Sequence, residues 1–267
     1  MREIINSISV GGLTAVYRRE SETGVVELVL IPAGCESEIV RTDCAAEPLV
    51  QAKLETDDAP AFFSGGRTMR NGPTVSAIVF DGQIVQKSDD KTVILTTLTD
   101  ARGLAYTHTL TLYADNPAAE VVTSVENTGS APVTFEMLSS FTLGSISPFA
   151  TGLAPETLKI HRLRSTWSAE GRLVTDRAED LQLEPSWKCY SANCLRFGVI
   201  GGYPVHGFAP FCAVEDTVHG VTWAAATTQG SSWQMELYRS DMGLSLSGGL
   251  ADREFGAWCK TLAPGAC

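Results

Sequence analysis

The segment 62–74, FFSGGRTMRNGPT, gathers side chains whose chemistry suits the recognition of sugar hydroxyls or of a carboxylate. Arg67, Arg70 and Asn71 supply several hydrogen-bond donors within a short span. Two adjacent glycines precede them and permit a sharp turn, because glycine adopts positive φ freely. Two interpretations stay open: a surface loop salt-bridged to neighbouring acids, or a rigid finger that reaches the site of another domain.

Paired carboxylates are a second candidate chemistry, since glycoside cleavage needs an acid and a carboxylate about 5–10 Å apart. Candidates for such a pair include Glu170, Asp176, Asp180 and Glu184, which lie in one polar stretch. Their run of charges is more typical of a solvated loop face than of a catalytic pair.

Tryptophans offer a third chemistry, because indole rings stack on the apolar faces of sugars while arginine and asparagine bind the hydroxyls. Trp223, Trp233 and Trp258 lie in or beside predicted strands and are interpreted as core residues. Trp187 also lies beside a predicted strand. Trp167, flanked by an arginine and serines, is less clearly a core residue and remains a binding candidate.

Other reactive groups lack the spacing of a known site. No G-x-S-x-G elbow, phosphate-binding loop or dinucleotide glycine motif is present. The four histidines, His108, His161, His206 and His219, are far apart and share no metal-ligand spacing. We therefore expect no cofactor and no metal.

The seven cysteines are odd in number and irregular in spacing, which argues against a secreted disulfide framework. Cys189 and Cys194 have no second pair or histidine cluster that would complete a zinc site. The thiols are interpreted as small buried residues. No secretory leader is visible at the N-terminus, so a reducing, cytoplasmic compartment is expected.

The elements that carry these residues are predicted to be strands. Alternating apolar residues rich in valine, threonine and isoleucine favour strands over helices. The predicted strands span 24–32, 74–85, 91–100, 105–116, 119–129, 131–144 and the second part of 147–167, and 210–250 is predicted to be a meander of three or four more. Pro73 is expected to stop any helix before the second of these, and 168–185 is expected to be a long exposed excursion.

Strands at this spacing predict an all-β fold, a large antiparallel β-sandwich of well over a dozen strands with few or no helices. We expect residues 1–267 to form one domain, with a two-domain seam near 145–157 as the alternative. The chain is 267 residues long and carries a net charge of −11. Nucleic acid and membranes are therefore not expected as partners, because anionic surfaces repel an acidic protein and no long apolar span is present.

Several runs together resemble the N-terminal domain of glycoside hydrolase family 36, the α-galactosidases and related α-N-acetylgalactosaminidases. The resemblance extends over about residues 10–265. It rests on the order of GGRTMRNGPTV, HTLTLYADNPAAEVVTSVENTGSAPVTFEMLSSF, HRLRSTWSAEGRL, PFCAVEDTVHGVTWAAATTQGSSWQMELYR and SLSGGLADREFGAWCKTLAPG.

The resemblance implies a β-supersandwich, of the galactose mutarotase-like kind, that precedes a catalytic (β/α)₈ barrel in the same polypeptide. In that family two aspartates of the barrel cleave the glycoside with retention. Neither lies in these residues, so we expect the chain to be a piece of a longer enzyme or one that lacks the catalytic half. Its expected partners are an α-galactoside or related oligosaccharide, its own barrel and further copies of itself in a homo-oligomer.

The family's N-terminal domain sends a loop toward the sugar pocket, and GGRTMRNGP matches it by position. Many members carry an Asp-Phe-Arg-type tripeptide there, from which this chain departs. The residues predicted to lie at the pocket rim are Arg67, Thr68, Met69, Arg70, Asn71 and Trp167. Because an exposed loop is expected, Arg70→Ala or Asn71→Ala should alter sugar affinity in the parent enzyme more than stability.

Three functions remain open at the level of the sequence. The first is the non-catalytic N-terminal domain of a retaining α-galactosidase-type hydrolase, which shapes the pocket and an oligomer interface. The second is a freestanding carbohydrate-binding module, which the tryptophans and the arginine–asparagine donors favour. The third is a structural scaffold that serves assembly alone.

Overall fold

The chain folds into antiparallel β-sheets, as the alternation of apolar residues predicts. The computed structural model describes residues 2–40, 44–58, 68–149, 156–185, 192–203, 205–228, 230–240 and 243–267. Within these ranges it contains seventeen strands and two short α-helices. The predicted all-β fold is confirmed.

The first half of the chain contains nine strands and a five-residue helix. These are β1 (Arg2–Val10), β2 (Leu13–Glu20), β3 (Val26–Pro32), β4 (Ala52–Leu54), α1 (Pro73–Ala77), β5 (Val79–Lys87), β6 (Lys91–Thr99), β7 (Leu104–Tyr113), β8 (Ala119–Asn127) and β9 (Val133–Leu143).

The second half contains eight strands and a four-residue helix. These are β10 (Leu158–Thr166), β11 (Arg172–Arg177), β12 (Ala192–Val199), β13 (His206–Asp216), β14 (Val221–Ala226), β15 (Trp233–Ser240), β16 (Gly243–Leu250), α2 (Arg253–Gly256) and β17 (Lys260–Leu262).

The strands form four sheets. Two consist of consecutive strands, in the orders β1-β2-β3 and β5-β6-β7-β8. The other two contain crossovers, in the orders β11-β10-β13-β14 and β12-β15-β16-β9-β17, with β4 also paired to β9. Strand β9 is therefore a central element, because it pairs with β4, β16 and β17.

Two hydrophobic clusters form the core, and the sheet β1-β2-β3 lies between them. On β2, Val16 belongs to the first cluster and its neighbour Tyr17 to the second. On β3, Val29 and Leu28 are divided in the same way. Because successive strand residues point to opposite faces, β2 and β3 form a shared layer that is buried on both sides, whereas β1 has only one buried residue, Ile8.

The outer sheet β5-β6-β7-β8 shows why alternation was a reliable signal. In β7 every second residue from Leu104 to Leu112 is buried, whereas the residues between them are partly exposed. One face of the sheet thus packs on the second cluster and the other faces solvent, which is the usual arrangement of an antiparallel sheet.

The prediction of a single strand over 74–85 is wrong at its start. Residues Pro73–Ala77 form α1, and β5 begins at Val79. Pro73 occupies the first turn of this helix after an extended Gly72. Proline is favoured there because its missing N–H would have no helical partner and its fixed φ suits the helix. Pro73 thus begins a helix, although it was expected to prevent one.

The predicted meander over 210–250 is also wrong in its connectivity. It contains four strands, but β13 pairs with β14 in one sheet and β15 pairs with β16 in another. The expected excursion 168–185 includes β11, which pairs with β10 as an edge strand. Strands β1, β2, β4, β12 and β17 were not predicted.

Candidate functional site

The described part of the predicted rim loop, from Thr68 to Asn71, is tied to strands and to a neighbouring segment by side-chain hydrogen bonds. The Thr68 hydroxyl donates to Glu236 Oε1 on β15 at 2.6 Å. The same hydroxyl oxygen accepts from the backbone N–H of Arg70 at 3.1 Å. Thr68 therefore joins the loop backbone to the central sheet.

Arg70 is buried, with 1% of its surface exposed. Its Nη2 pairs with Glu47 Oε1 at 2.5 Å and donates to Ser245 Oγ at 3.1 Å. The guanidinium also lies over the ring of Tyr238, 5.2 Å from its centroid. A buried charge needs such compensation, because losing one partner leaves the other charge desolvated and unpaired.

Asn71 is fixed by Gln51, the residue that precedes β4. The Asn71 backbone N–H donates to Gln51 Oε1 at 2.8 Å, and Gln51 Nε2 donates to Asn71 Oδ1 at 2.7 Å. Asn71 has φ of 55°, a left-handed conformation that asparagine tolerates better than most residues. Gln51 Nε2 also donates to Glu47 Oε1, so the partners of Arg70 and Asn71 form one network.

A cavity of about 320 Å³ opens beside this network. Its walls include Cys44, Glu47, Asn71 and Tyr238, together with Val75 of α1. Its volume lies within the range of small-molecule sites, and apolar walls with a few polar groups are typical of them. Burial and the nearby Glu47 carboxylate raise the pKa of the Tyr238 hydroxyl, so this group stays a neutral donor.

Buried charges near the cavity are compensated within the protein. Glu27 is paired with Arg2 at 2.9 Å and with Arg18 at 2.6 Å, and it accepts a hydrogen bond from Ser145 on the cavity wall. Burial raises the pKa of Glu236, while the positive charge of Arg70 opposes this shift. The cavity is thus lined by hydroxyl and amide groups and by Glu47, whose charge is paired with Arg70.

The structure brings Thr68, Arg70 and Asn71 together, but it does not place Trp167 with them. Trp167 follows β10 in a different sheet and is 77% exposed. Met69 is half-buried. Arg67 lies outside the described residues. The sequence predicted that Arg70→Ala would cost little stability because the loop would be exposed. This premise is wrong for Arg70, because its side chain is buried in an ion pair.

The other candidates serve mainly as structural groups. Trp223 and Trp233 are buried and Trp258 packs partly against the second cluster, whereas Trp187 lies outside the described residues. Asp176 pairs with Arg162, and Asp180 pairs with Arg177. The described residues contain no group of histidine, cysteine and carboxylate side chains that could hold a metal ion.

The cysteines agree only in part with the expectation of buried thiols. Cys44 and Cys212 are buried, but Cys259 and Cys267 are exposed. No disulfide joins any two of the six cysteines in the described ranges, and Cys189 lies outside those ranges. No helix among the described residues is long and apolar enough to cross a membrane.

Sequence reasoning missed the partners of the loop: Glu47, Gln51, Glu236 and Tyr238. These residues lie 20 to 168 positions away from the loop residues that they bind, so no local motif joins them. One signal was available. Glu236 lies within WQMELY, a strand whose residues are otherwise mostly apolar, and a charged residue in such a strand needs a partner.

Comparison with solved structures identifies the fold. A GH36 α-galactosidase variant from Geobacillus stearothermophilus, in complex with 1-deoxygalactonojirimycin, matches 99% of this chain with a TM-score of 0.69 and 14% identity. The α-galactosidase from Lactobacillus brevis matches 98% at a TM-score of 0.65 and 11% identity. The galactosidase domain of an α-galactosidase–sucrose kinase matches 97% at a TM-score of 0.65 and 11% identity.

The match covers nearly all of this chain but only 37% to 39% of each of those chains. At the level of sequence, the chain matches no family profile and no curated relative. The chain therefore has the fold of a section of GH36 α-galactosidases, and the resemblance predicted from the sequence motifs is confirmed as a resemblance of fold.

Proposed function

We propose that this chain is the non-catalytic N-terminal domain of a retaining α-galactosidase-type glycoside hydrolase. The observation that carries the proposal is the match of 99% of the chain to part of a GH36 α-galactosidase. In this proposal residues 1–267 form one domain ahead of a catalytic barrel, and the parent enzyme hydrolyses terminal α-linked galactose or a related galactosamine sugar. The odd number and irregular spacing of its seven cysteines support a reducing, cytoplasmic location for it.

The loop would act in this enzyme as a positioned rim of the sugar pocket. Arg70 and Asn71 are engaged by Glu47 and Gln51, so their contribution is to hold the loop backbone in place. Thr68 and Met69 are half-buried and so leave part of their surface available at the rim, and we include Arg67 in the same role. A rigid support of this kind keeps binding groups in position for catalysis elsewhere.

The first experiment compares the 267-residue chain with its complete parent polypeptide in the hydrolysis of a nitrophenyl α-galactoside. We expect no turnover by the chain alone and enzyme-like turnover by the parent. Enzyme-like turnover by the chain alone would show that the chemistry is encoded here. A parent enzyme that hydrolyses another glycoside but not the α-galactoside would show that the proposed sugar is wrong.

The proposed homo-oligomer is tested on the same parent polypeptide. Light scattering coupled to size exclusion should give a mass that is a multiple of the parent's calculated mass. A monomeric mass at the concentration of the activity assay would contradict the proposed homo-oligomer. It would not affect the hydrolase proposal, which the activity assay tests separately.

A freestanding carbohydrate-binding module is the second candidate, and the exposure of Trp167 favours it. Trp167 is 77% exposed, and Arg164 near the end of the preceding strand β10 is also exposed. Calorimetry with galactose, galactosamine and raffinose should then show millimolar or tighter binding that Trp167→Ala abolishes and the control Leu173→Ala retains. Flat isotherms for the unmodified chain would eliminate this function.

A further inference from the structure

A second, much smaller cavity is lined by residues of the loop network, among them Gln51, Arg70 and Glu236. Its volume is about 10 Å³, which is enough for one water molecule. Arg70 reaches it from the loop, Gln234 and Glu236 from β15, and Ser247 from β16. All four residues are at least nine-tenths buried.

Two of the side chains that line this cavity, Arg70 and Gln234, carry buried polar atoms that have no hydrogen-bond partner among the described residues. Arg70 Nε and Nη1 are donors that have no hydrogen-bond acceptor, although Nη2 of the same side chain is fully engaged. Gln234 Oε1 is an acceptor that has no donor, while its Nε2 donates to Asp252. Unpaired buried donors and acceptors cost free energy, so groups like these are normally satisfied by protein or by ordered water.

We propose that this cavity binds one ordered water molecule that joins Arg70 to Gln234. The water oxygen accepts a hydrogen bond from the Arg70 guanidinium, and one water hydrogen is donated to Gln234 Oε1. The other hydrogen faces the remaining polar lining, which includes the Glu236 carboxyl and the Ser247 hydroxyl. A buried water typically makes about three such bonds, and this site offers them.

Charge and size both favour water over an ion. A metal cation at this position would face the guanidinium of Arg70, and an anion would face Glu236. Neither ion would therefore find a shell of one charge sign around it. The volume also leaves no room for a hydrated ion or for an organic ligand.

The water would extend the network from the loop to the other end of β15. Gln234 Nε2 donates to Asp252 Oδ2 at 3.1 Å. Asp252 caps α2 by accepting from Phe255 N at 2.7 Å, and it pairs with Arg196 of β12 at 2.9 Å. The loop residue Arg70 and the α2 cap are thus coupled through one water and one glutamine, with no direct contact between Arg70 and Gln234 required.

A double-mutant cycle tests this coupling on the 267-residue chain. Arg70→Met and Gln234→Met each remove one side of the water site while keeping an unbranched side chain. We expect each single variant to lower the urea midpoint of unfolding, and the double variant to lower it by less than the sum. Arg70→Met also loses the Glu47 partner, and Gln234→Met also loses the Asp252 contact. Each of these losses occurs in one single variant and again in the double variant, so it cancels in the cycle.

The matched control pairs Arg70→Met with Thr92→Val, a buried polar residue on β6 that does not line the cavity. We expect the two shifts to add. Strict additivity of Arg70→Met and Gln234→Met, equal to that of the control pair, would overturn the proposal.

A crystal structure of the unmodified chain, at a resolution that shows ordered water, gives a readout that survives if a variant does not fold. We expect an isolated density peak within hydrogen-bond distance of an Arg70 nitrogen and of Gln234 Oε1. The proposal would be overturned if no density peak were present there, or if Arg70 and Gln234 formed a direct hydrogen bond. Distances around the peak that are typical of metal coordination would also overturn it. The proposal does not depend on the hydrolase assignment.

Discussion

At the scale of single residues, His108 is an ionisable group placed inside an apolar core. Its side chain has no exposed surface and lies on the buried face of β7, between Tyr106 and Leu110. Burial lowers the pKa of the imidazole from 6.5 to about 4. The charged form is disfavoured there because the surrounding side chains cannot replace its hydration.

This pKa predicts a specific loss of stability in acid. Between pH 6.5 and about 4 the unfolded chain binds a proton at His108 that the folded chain does not, so stability falls as the pH falls. Over the whole interval the loss is roughly 3 kcal/mol, at 1.36 kcal/mol for each unit of pKa difference. His108→Leu should remove this part of the pH dependence, as measured by urea unfolding at pH 7 and at pH 5.

His206 provides the control because it is exposed on the same chain. His206→Gln should retain the pH dependence of the unmodified protein. If His108→Leu and the unmodified protein lost equal stability between pH 7 and pH 5, then His108 would titrate normally in the folded state.

Arg70 shows the limit of reasoning from residue type alone. Its chemistry identified it as a binding donor, and in the structure it does bind a carboxylate, but that carboxylate is Glu47 of the same chain. The residue therefore supports the loop from inside. The distinction depends on a partner 23 residues earlier in the sequence and on a strand hydroxyl 175 residues later.

At the scale of elements, the turns that join strands depend on close backbone contacts. Gly103, in the turn between β6 and β7, has φ of 85°. A Cβ at this position would lie 2.8 Å from the backbone of Gly129, which follows β8. The turn therefore packs against a neighbouring turn at a distance that only glycine allows.

Gly103→Ala should destabilise the protein more than Gly171→Ala does. Gly171 also has positive φ, of 72°, but a Cβ there would meet no atom within 4 Å. Gly171→Ala thus measures backbone strain alone, on the order of 1–2 kcal/mol, and Gly103→Ala adds a clash with backbone. Urea midpoints of the two variants provide the measurement, and equal midpoints would mean that the turn moves apart without cost.

Strands and their partners differed in how well the sequence predicted them. The strands β6, β7, β8 and β9 were predicted because alternation is a local property, visible in each segment by itself. The first turn of α1 was missed because valine and threonine also suit a strand, and the helix depends on Pro73 and on burial of Val75. The division of 210–250 between two sheets was missed because the sequence of a hairpin does not show which sheet the hairpin joins.

At the scale of the whole molecule, the two hydrophobic clusters share the layer formed by β2 and β3. Residues of β9 also enter both, with Leu143 in the first cluster and Phe135 in the second. Each cluster therefore depends in part on strands that also pack against the other cluster. The clusters are therefore expected to lose their packing together, as in a single cooperative unit.

Two single-tryptophan variants test this cooperativity. One retains Trp233, which belongs to the first cluster, and the other retains Trp258, which packs against the second. With all other tryptophans changed to phenylalanine, far-UV circular dichroism should give the same midpoint as fluorescence within each variant. Fluorescence from Trp233 or Trp258 that changes at a midpoint apart from that of the circular dichroism would identify two separately unfolding units.

The sequence by itself determined the all-β class, many of the strands and the resemblance to part of GH36 enzymes, because periodicity and ordered motifs are properties of contiguous residues. Only the tertiary structure decided that Arg70 is buried against Glu47, that β13-β14 and β15-β16 separate, and that Trp167 lies apart from the loop. The physical reason is that alternation reports which face of a strand is buried. The partner of a buried charge is chosen by contacts between residues far apart in the chain.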